Sequence, residues 1–333
     1  MPDLDTLITA EHVDQARKRI APYVRHTPLE PSPALSDEVG APVFLKLESM
    51  QVTGSFKPRI AFSKLLTLGP EERRRGVIAS TAGGHGIGVS HAARVLGIPA
   101  RIYLPRSAEP RKIAAIERNG AELTYFDSIP EARDAARKEA GRQGWTFISA
   151  YNDPAIIAGG GTVGLEILED CPEVGRLVVG IGGGGLLAGS AIAIRRSNPH
   201  LRVLGIQPEN SAVLIPWLEA GRPVPVDYRP SIADGLGANI EEDSLTFPLA
   251  QRHVDQTALV SEDEIRAAMD WLLAEHQLVV EPSGAAPVAA LRKTAIPGSG
   301  AVVVIVTGRN VNRERYLDLL GVLPDAGAAR TCR

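Results

Sequence analysis

Lys57 closes the stretch Thr53-Gly54-Ser55-Phe56-Lys57 and precedes IAFSKLLTL, which reads as a helix. That spacing sets the lysine in a first helical turn, where the positive end of the helix dipole disfavours a cation. Burial and the dipole both lower an amine pKa. An amine so lowered is a nucleophile toward an aldehyde. The same residues also fit a surface lysine whose methylene stem packs along the helix. Spacing alone leaves both open, so the choice turns on what else the chain carries.

Residues 178–194, VVGIGGGGLLAGSAIAI, run from an apolar strand through Gly182, Gly183, Gly184 and Gly185 into a helix. Successive glycines let backbone N–H groups approach an anion without obstruction by a Cβ. The amino terminus of the following helix adds its positive dipole end. Phosphate is the natural ligand; a bare turn needs only one or two glycines. The ATP-type signature GxxxxGK[ST] is absent. A dinucleotide reading through Gly180, Gly182 and Gly185 is disfavoured, because Gln207 stands where a ribose wants an acid.

Two further strand ends carry polar groups. GVIAS leads into Ser80, Thr81, Ala82, Gly83 and Gly84, then His85 and a helix. Amides and hydroxyls in such a turn can receive a carboxylate, so Ser80, Thr81, Ala82, Gly83 and His85 are the candidate substrate-binding residues. His85 by itself equally fits a residue packing locally in the first turn. The strand AVVVIV ends at Thr307, whose hydroxyl would face the ligand crevice at the carboxyl edge of a parallel sheet. A reactive lysine and a phosphate cradle without a metal motif together suggest pyridoxal 5'-phosphate.

These groups need a scaffold that gathers strand ends. PVFLKLE, GVIAS, ARIYLP, AELTYF, WTFIS, RLVVGIG, LRVLGI and AVVVIV read as strands, several apolar throughout as in sheets covered on both faces. Helical stretches such as HGIGVSHAARVLG, EARDAARKEAGRQ and GTVGLEILED lie between them. The alternation predicts an α/β fold with open, mostly parallel sheets flanked by helices. Ser261 and Glu264 form a capping box at the start of SEDEIRAAMDWLLAEH. Residues 221–243 are rich in Pro and Gly and read as a long loop over the surface or the site.

Length and charge narrow the function classes. A chain of 333 residues fits two domains. A net charge of -3 gives no long-range attraction to nucleic acid or an anionic membrane. The amino terminus lacks the pattern of a secretory signal, and no run of 18 apolar residues is present. Cys171 and Cys332 do not make a disulfide framework, which agrees with a reducing cytoplasm. No Cys/His cluster has zinc spacing, so no metal site is expected. The expected partner is a small molecule.

Nearly the whole chain, from RHTPLEPSPALS to TGRNVN, resembles the fold-type II pyridoxal-phosphate enzymes of the serine/threonine dehydratase and serine racemase group. Gly54-Ser55-Phe56-Lys57 resembles their cofactor-lysine motif and Gly182–Gly185 their phosphate loop; SIADGL, VSEDEI and VVEPSGAAPVAAL are similar to other family segments. The resemblance implies the two-domain architecture of the tryptophan synthase β-like fold. Residues 53–149 would form the small domain; 1–52 with 150–333 would form the large cofactor-binding one. It implies that Lys57 holds the cofactor and then takes the substrate Cα proton, that Phe56 packs near the ring and that Thr307 meets the ring nitrogen. The implied reaction is β-elimination from a β-hydroxy amino acid by a homodimer. A specialised substrate such as 3-hydroxyaspartate or a hydroxyectoine-derived amino acid is as good an expectation as threonine. β-Replacement and a silent cofactor-binding protein are the alternatives.

The chain departs from the family pattern at several places. Ala82 replaces the serine that racemases use as acid and base, and alanine cannot transfer a proton. Gly84 replaces an asparagine that contacts the cofactor. Arg309 replaces a glycine; it would either hold a second substrate carboxylate or face solvent. Gln207 replaces a glutamate of the metal-activated members, and hard cations want carboxylates. Glu281 would lie near the cofactor or cap the next helix.

Overall fold

The computed structural model describes residues 7–81, 83–237 and 240–322. Ala82, Ala238, Asn239 and the carboxyl-terminal stretch with Cys332 lie outside the described residues. The strands in chain order are β1 (Leu29–Pro31), β2 (Val43–Leu47), β3 (Val77–Ser80), β4 (Ala100–Pro105), β5 (Glu122–Phe126), β6 (Thr146–Phe147), β7 (Val174–Gly180), β8 (Arg202–Pro208), β9 (Gln256–Val260) and β10 (Ala301–Val306). They form a six-stranded sheet in the order β1-β2-β10-β7-β8-β9 and a four-stranded sheet in the order β5-β4-β3-β6. Every pairing is parallel except β1 with β2.

The burial of the strands explains their composition. All residues of β7 and β10 are buried, as parallel strands covered by helices on both faces must be. β5 closes one edge of the smaller sheet and has no buried residue. The apolar runs expected as strands all appear. β1 and β9 were not expected. β1 has three residues including a proline, and β9 sits at an edge with one fully buried residue, so neither carries a strong apolar signal.

The helix Pro154–Asp170 shows tertiary packing overriding propensity. It begins seven residues before the stretch GTVGLEILED, because Asp153 accepts from the amides of Ala155 and Ile156. It also runs through Gly159, Gly160 and Gly161, residues that weaken an isolated helix. A Cβ on Gly159 would stand 2.8 Å from the Arg59 carbonyl, and one on Gly161 would stand 2.8 Å from the Gly189 carbonyl. The glycines are needed because two neighbouring helices, Lys57–Leu65 and Gly185–Arg195, pack against this one backbone to backbone.

A buried ion network locks the same region. Arg59, with no exposed surface, bonds Glu48 at 2.8 Å and Glu166 at 2.7 Å. Lys46 reaches Glu166 at 2.9 Å, and the Thr27 hydroxyl donates to Glu48 at 2.6 Å. Burial raises the Glu166 carboxyl, but the Arg59 hydrogen bonds and charge, with Lys46, outweigh it and hold its pKa at about 2. The network therefore fixes the helix whose first residue is Lys57.

Candidate active site

The strand order brings together the strand ends picked out by the sequence. β7, β10 and β3 deliver Gly182, Thr307 and Ser80 from their carboxyl ends, the usual ligand-binding edge of a parallel sheet. One cavity is lined by Phe56, Lys57, Ser80, Thr81, Gly83, His85, Gly182, Gly183, Gly184, Gly185 and Thr307. Every sequence-selected site residue that is described therefore faces one space. Ala82, the remaining one, lies outside the described residues.

Lys57 is the first residue of the helix Lys57–Leu65, as its spacing predicts. Gly54 turns the chain before it at φ 74°, a left-handed value that favours glycine. The turn is pinned to the end of β10, where Phe56 N–H donates to the Thr307 carbonyl at 3.2 Å. The helix Gly84–Leu96 lies close above: a Cβ on Gly88 would meet the Lys57 backbone at 2.9 Å. The Lys57 amine sits 4.6 Å from the centre of the Phe56 ring. Burial pushes its pKa down to about 8, with Glu281 partly opposing. The side chain lines the cavity rather than the outer face of its helix.

The glycine loop makes a bare concave surface. Gly184 takes φ 86°, and a Cβ on Gly183 would overlap the Tyr151 ring at 2.1 Å. A Cβ on Gly182 would press on the Gly235 carbonyl at 2.7 Å. The helix Gly185–Arg195 starts here, so its first amides have no intrahelical acceptor and are available to an anion. Tyr151 is itself held by Glu241, which accepts from its hydroxyl at 3.2 Å. Burial, then Glu241, raise that phenol to about 12, so it stays neutral.

The loop after β3 is preorganised. The Thr81 hydroxyl accepts from Gly83 N–H at 2.8 Å, and Gly83 takes φ 145°. A Cβ on Gly84 would meet nothing within 4 Å, so open space lies where the family carries an asparagine side chain. His85 Nε2 donates to the Ile148 carbonyl at 3.1 Å. Burial, then the Lys57 charge, lower His85 to about 3, so it is a neutral imidazole whose Nδ1 has no hydrogen-bond partner.

Arg309 is exposed and does not line the cavity. Glu281 does line it; its side chain does not cap the helix Pro282–Leu291, and burial raises it to about 7. Gln207 is buried, donating to the Ile181 carbonyl and accepting from Ile215 N–H, which is a structural role. Among the described residues no group of three or more His, Cys, Asp or Glu could hold a metal, and no helix is long and apolar enough to cross a membrane. Sequence reasoning missed Lys112, Tyr151, Asp234 and Glu241, which also line the cavity. Asp234 falls within SIADGL, but nothing near the other three marks them.

An amine of lowered pKa, a concave anion site and a hydroxyl on one cavity fit the chemistry of pyridoxal phosphate. The comparisons agree. The model of the pyridoxal-phosphate dependent enzymes matches residues 20–308. The chain belongs to that family. It is 41% identical over 308 residues to the L-threonine ammonia-lyase of Thermotoga maritima, covering 92% of this chain and 76% of that enzyme. It is 37% identical over 310 residues to an L-threo-3-hydroxyaspartate ammonia-lyase of a Pseudomonas species, covering 92% and 97%. Its fold superimposes on a maize serine racemase structure with a TM-score of 0.88 at 32% identity, covering 94% of this chain and 96% of that one. The expected fold-type II architecture and cofactor are thus both present in the family to which the chain belongs.

Proposed function

We propose that this enzyme is an ammonia-lyase acting on a β-hydroxy amino acid, with release of a 2-oxo acid and ammonia. The observation that carries the reading is the Lys57 amine, lowered to about 8 and set on the same cavity as the glycine loop and Thr307. Relatives named for threonine and for 3-hydroxyaspartate support the substrate class. Alanine at position 82 supports elimination over racemisation, since it has no proton to exchange.

In this reading the amides of Gly182–Gly185 and the helix amino terminus would hold the cofactor phosphate, and Phe56 and Thr307, which line the same cavity, would hold its ring. When bound, the cofactor supplies an electron sink that makes the substrate Cα–H bond acidic. Ser80, Thr81, Gly83 and neutral His85 orient the substrate carboxylate. Lys57 Nζ would hold the cofactor and would then take the Cα proton, since its lowered pKa suits it to proton transfer near neutral pH. The Cβ–O bond breaks with its electron pair on oxygen, and the proton that Lys57 took from Cα is returned to the departing hydroxyl, which leaves as water. The released enamine becomes an imine, which water hydrolyses to the 2-oxo acid and ammonia. Residues 53–149 act as a small domain against 1–52 and 150–333, and the enzyme works as a cytoplasmic homodimer.

The test uses protein loaded with pyridoxal phosphate and a panel of serine, threonine, 3-hydroxyaspartate and phenylserine. Ammonia and 2-oxo acid are measured together, with Lys57→Ala as control. Equimolar release from one substrate, lost in the variant, is expected. A cofactor spectral change without ammonia would instead favour β-replacement. No response to any substrate would favour a silent binding protein.

A further inference from the structure

Lys112 has no role in the reaction above, yet its placement is unusual. It lies in the first turn of the helix Pro110–Arg118, where the helix dipole disfavours a cation, and it is 4% exposed. Its Nζ stands 2.5 Å from Asp234 and 3.7 Å from Glu109. Burial works against its charge, but Asp234 and Glu281 outweigh that and raise its pKa above the ordinary lysine value. It is a permanent cation on the cavity wall.

The two ends of this side chain touch different parts of the molecule. Its stem packs on the turn that follows β3: a Cβ on Gly83 would stand 2.4 Å from Lys112 Cδ. Its ammonium meets Asp234, which belongs to the connection between β8 and β9 of the larger sheet. That connection is itself anchored. Ser231 Oγ and Ile232 N–H donate to Glu262, and Gly235 N–H donates to Ser283 Oγ at 2.9 Å. The next residue along, Gly235, lies over the phosphate loop, with its carbonyl against Gly182. One chain of contacts therefore runs from the phosphate loop through Asp234 and Lys112 to Gly83.

We propose that the Lys112–Asp234 pair is the latch that holds the cleft closed, with Lys112 the residue that positions the substrate-carboxylate loop. The inference rests on the lyase reading of the site. The connection between β8 and β9 presents Asp234 from a fixed position beside the glycine loop. Lys112 grips it and lays its stem along Gly83, which sets Gly83 and the helix start at Gly84 and His85 in their binding geometry. Other contacts span the same parts, Arg137 with Glu241 and Asn312 N–H with Glu109. Lys112 differs from these in also packing on Gly83, so it joins closure to carboxylate binding. Loss of the latch lowers the fraction of molecules competent to bind, and saturating substrate restores it.

The consequence is a split between KM and kcat. In Lys112→Met, which keeps the stem and removes the charge, KM is expected to rise about tenfold while kcat stays within about threefold. Asp234→Asn should do the same, and the double variant should be no worse than either single one, because both remove one interaction. Lys112→Arg should recover most of the loss. Independently of turnover, amide hydrogen exchange on cofactor-loaded protein without substrate should quicken across residues 83–90 in both single variants. Wild-type ammonia release tests the lyase reading; the exchange measurement tests the latch even if that reading fails. Unchanged exchange with unchanged KM in Asp234→Asn overturns the proposal. So do additive effects in the double variant, or a fall in kcat at constant KM. If Lys112→Met does not fold, Asp234→Asn carries the test, since that carboxylate is 39% exposed.

Discussion

Arg59→Met should destabilise the protein, although Arg59 does not itself line the cavity. The substitution keeps an unbranched side chain of similar length but removes the wholly buried guanidinium that bridges Glu48 and Glu166. Lys46 and the partly exposed Arg17 remain beside Glu166, at 2.9 and 3.2 Å. Removing one member of a buried ion network typically costs about 3–5 kcal/mol, because the remaining charge is left uncompensated. At the usual unfolding entropy per residue, that lowers Tm by about 4–7 °C in a chain of this size. The pH dependence is a sharper test. Glu166 titrates at about 2 in the fold against an ordinary value of 4.5, so its stabilisation is complete above 4.5 and lost as pH falls through about 2. Without Arg59, burial is less opposed and the Glu166 pKa rises. The difference in stability between wild type and variant should therefore be larger at pH 7 than at pH 4. Thermal melts of the apo proteins at the two pH values, run at one scan rate, measure it. A Tm shift within about 1 °C, or a difference that does not change with pH, would refute the account of the network.

Two further predictions concern the cavity. Because only the free amine attacks an aldehyde, the rate at which apo protein captures pyridoxal phosphate should rise with pH through about 8 and level above it. Stopped-flow absorbance reads this, and a rise continuing toward the ordinary lysine value of 10.5 would show that Lys57 is not desolvated. Gly183→Ala places a methyl group 2.1 Å from the Tyr151 ring, so the loop or Tyr151 must move. Cofactor affinity measured by equilibrium dialysis should fall by at least about tenfold, about 1.4 kcal/mol; wild-type affinity would mean that the loop does not shape the phosphate site.

The sequence by itself determined the features that follow from local chemistry. Buried parallel strands read as apolar runs, glycine loops announce close backbone approach, and Thr53-Gly54-Ser55-Phe56-Lys57 marks a lysine at a helix start. These signals were enough to name the sheet class, the cofactor and eleven of the residues that line the cavity, but not Lys112, Tyr151, Asp234 or Glu241. Short-range signals also identified the capping box at Ser261, whose hydroxyl accepts from Glu264 N–H. What the tertiary structure decided was everything that depends on distant partners. Arg59 reads as an ordinary helix cation until Glu48 and Glu166 close around it from 11 and 107 residues away. Lys112 reads as a surface residue until Asp234, 122 residues on, takes its charge. Arg309 sits two residues past Thr307 yet is exposed and does not line the cavity. The pKa values behave in the same way. Residue type sets the starting value, whereas burial and the charges nearby in the fold move Lys57 down and Glu281 up. Desolvation and Coulomb energy depend on three-dimensional distance, which a linear sequence does not contain.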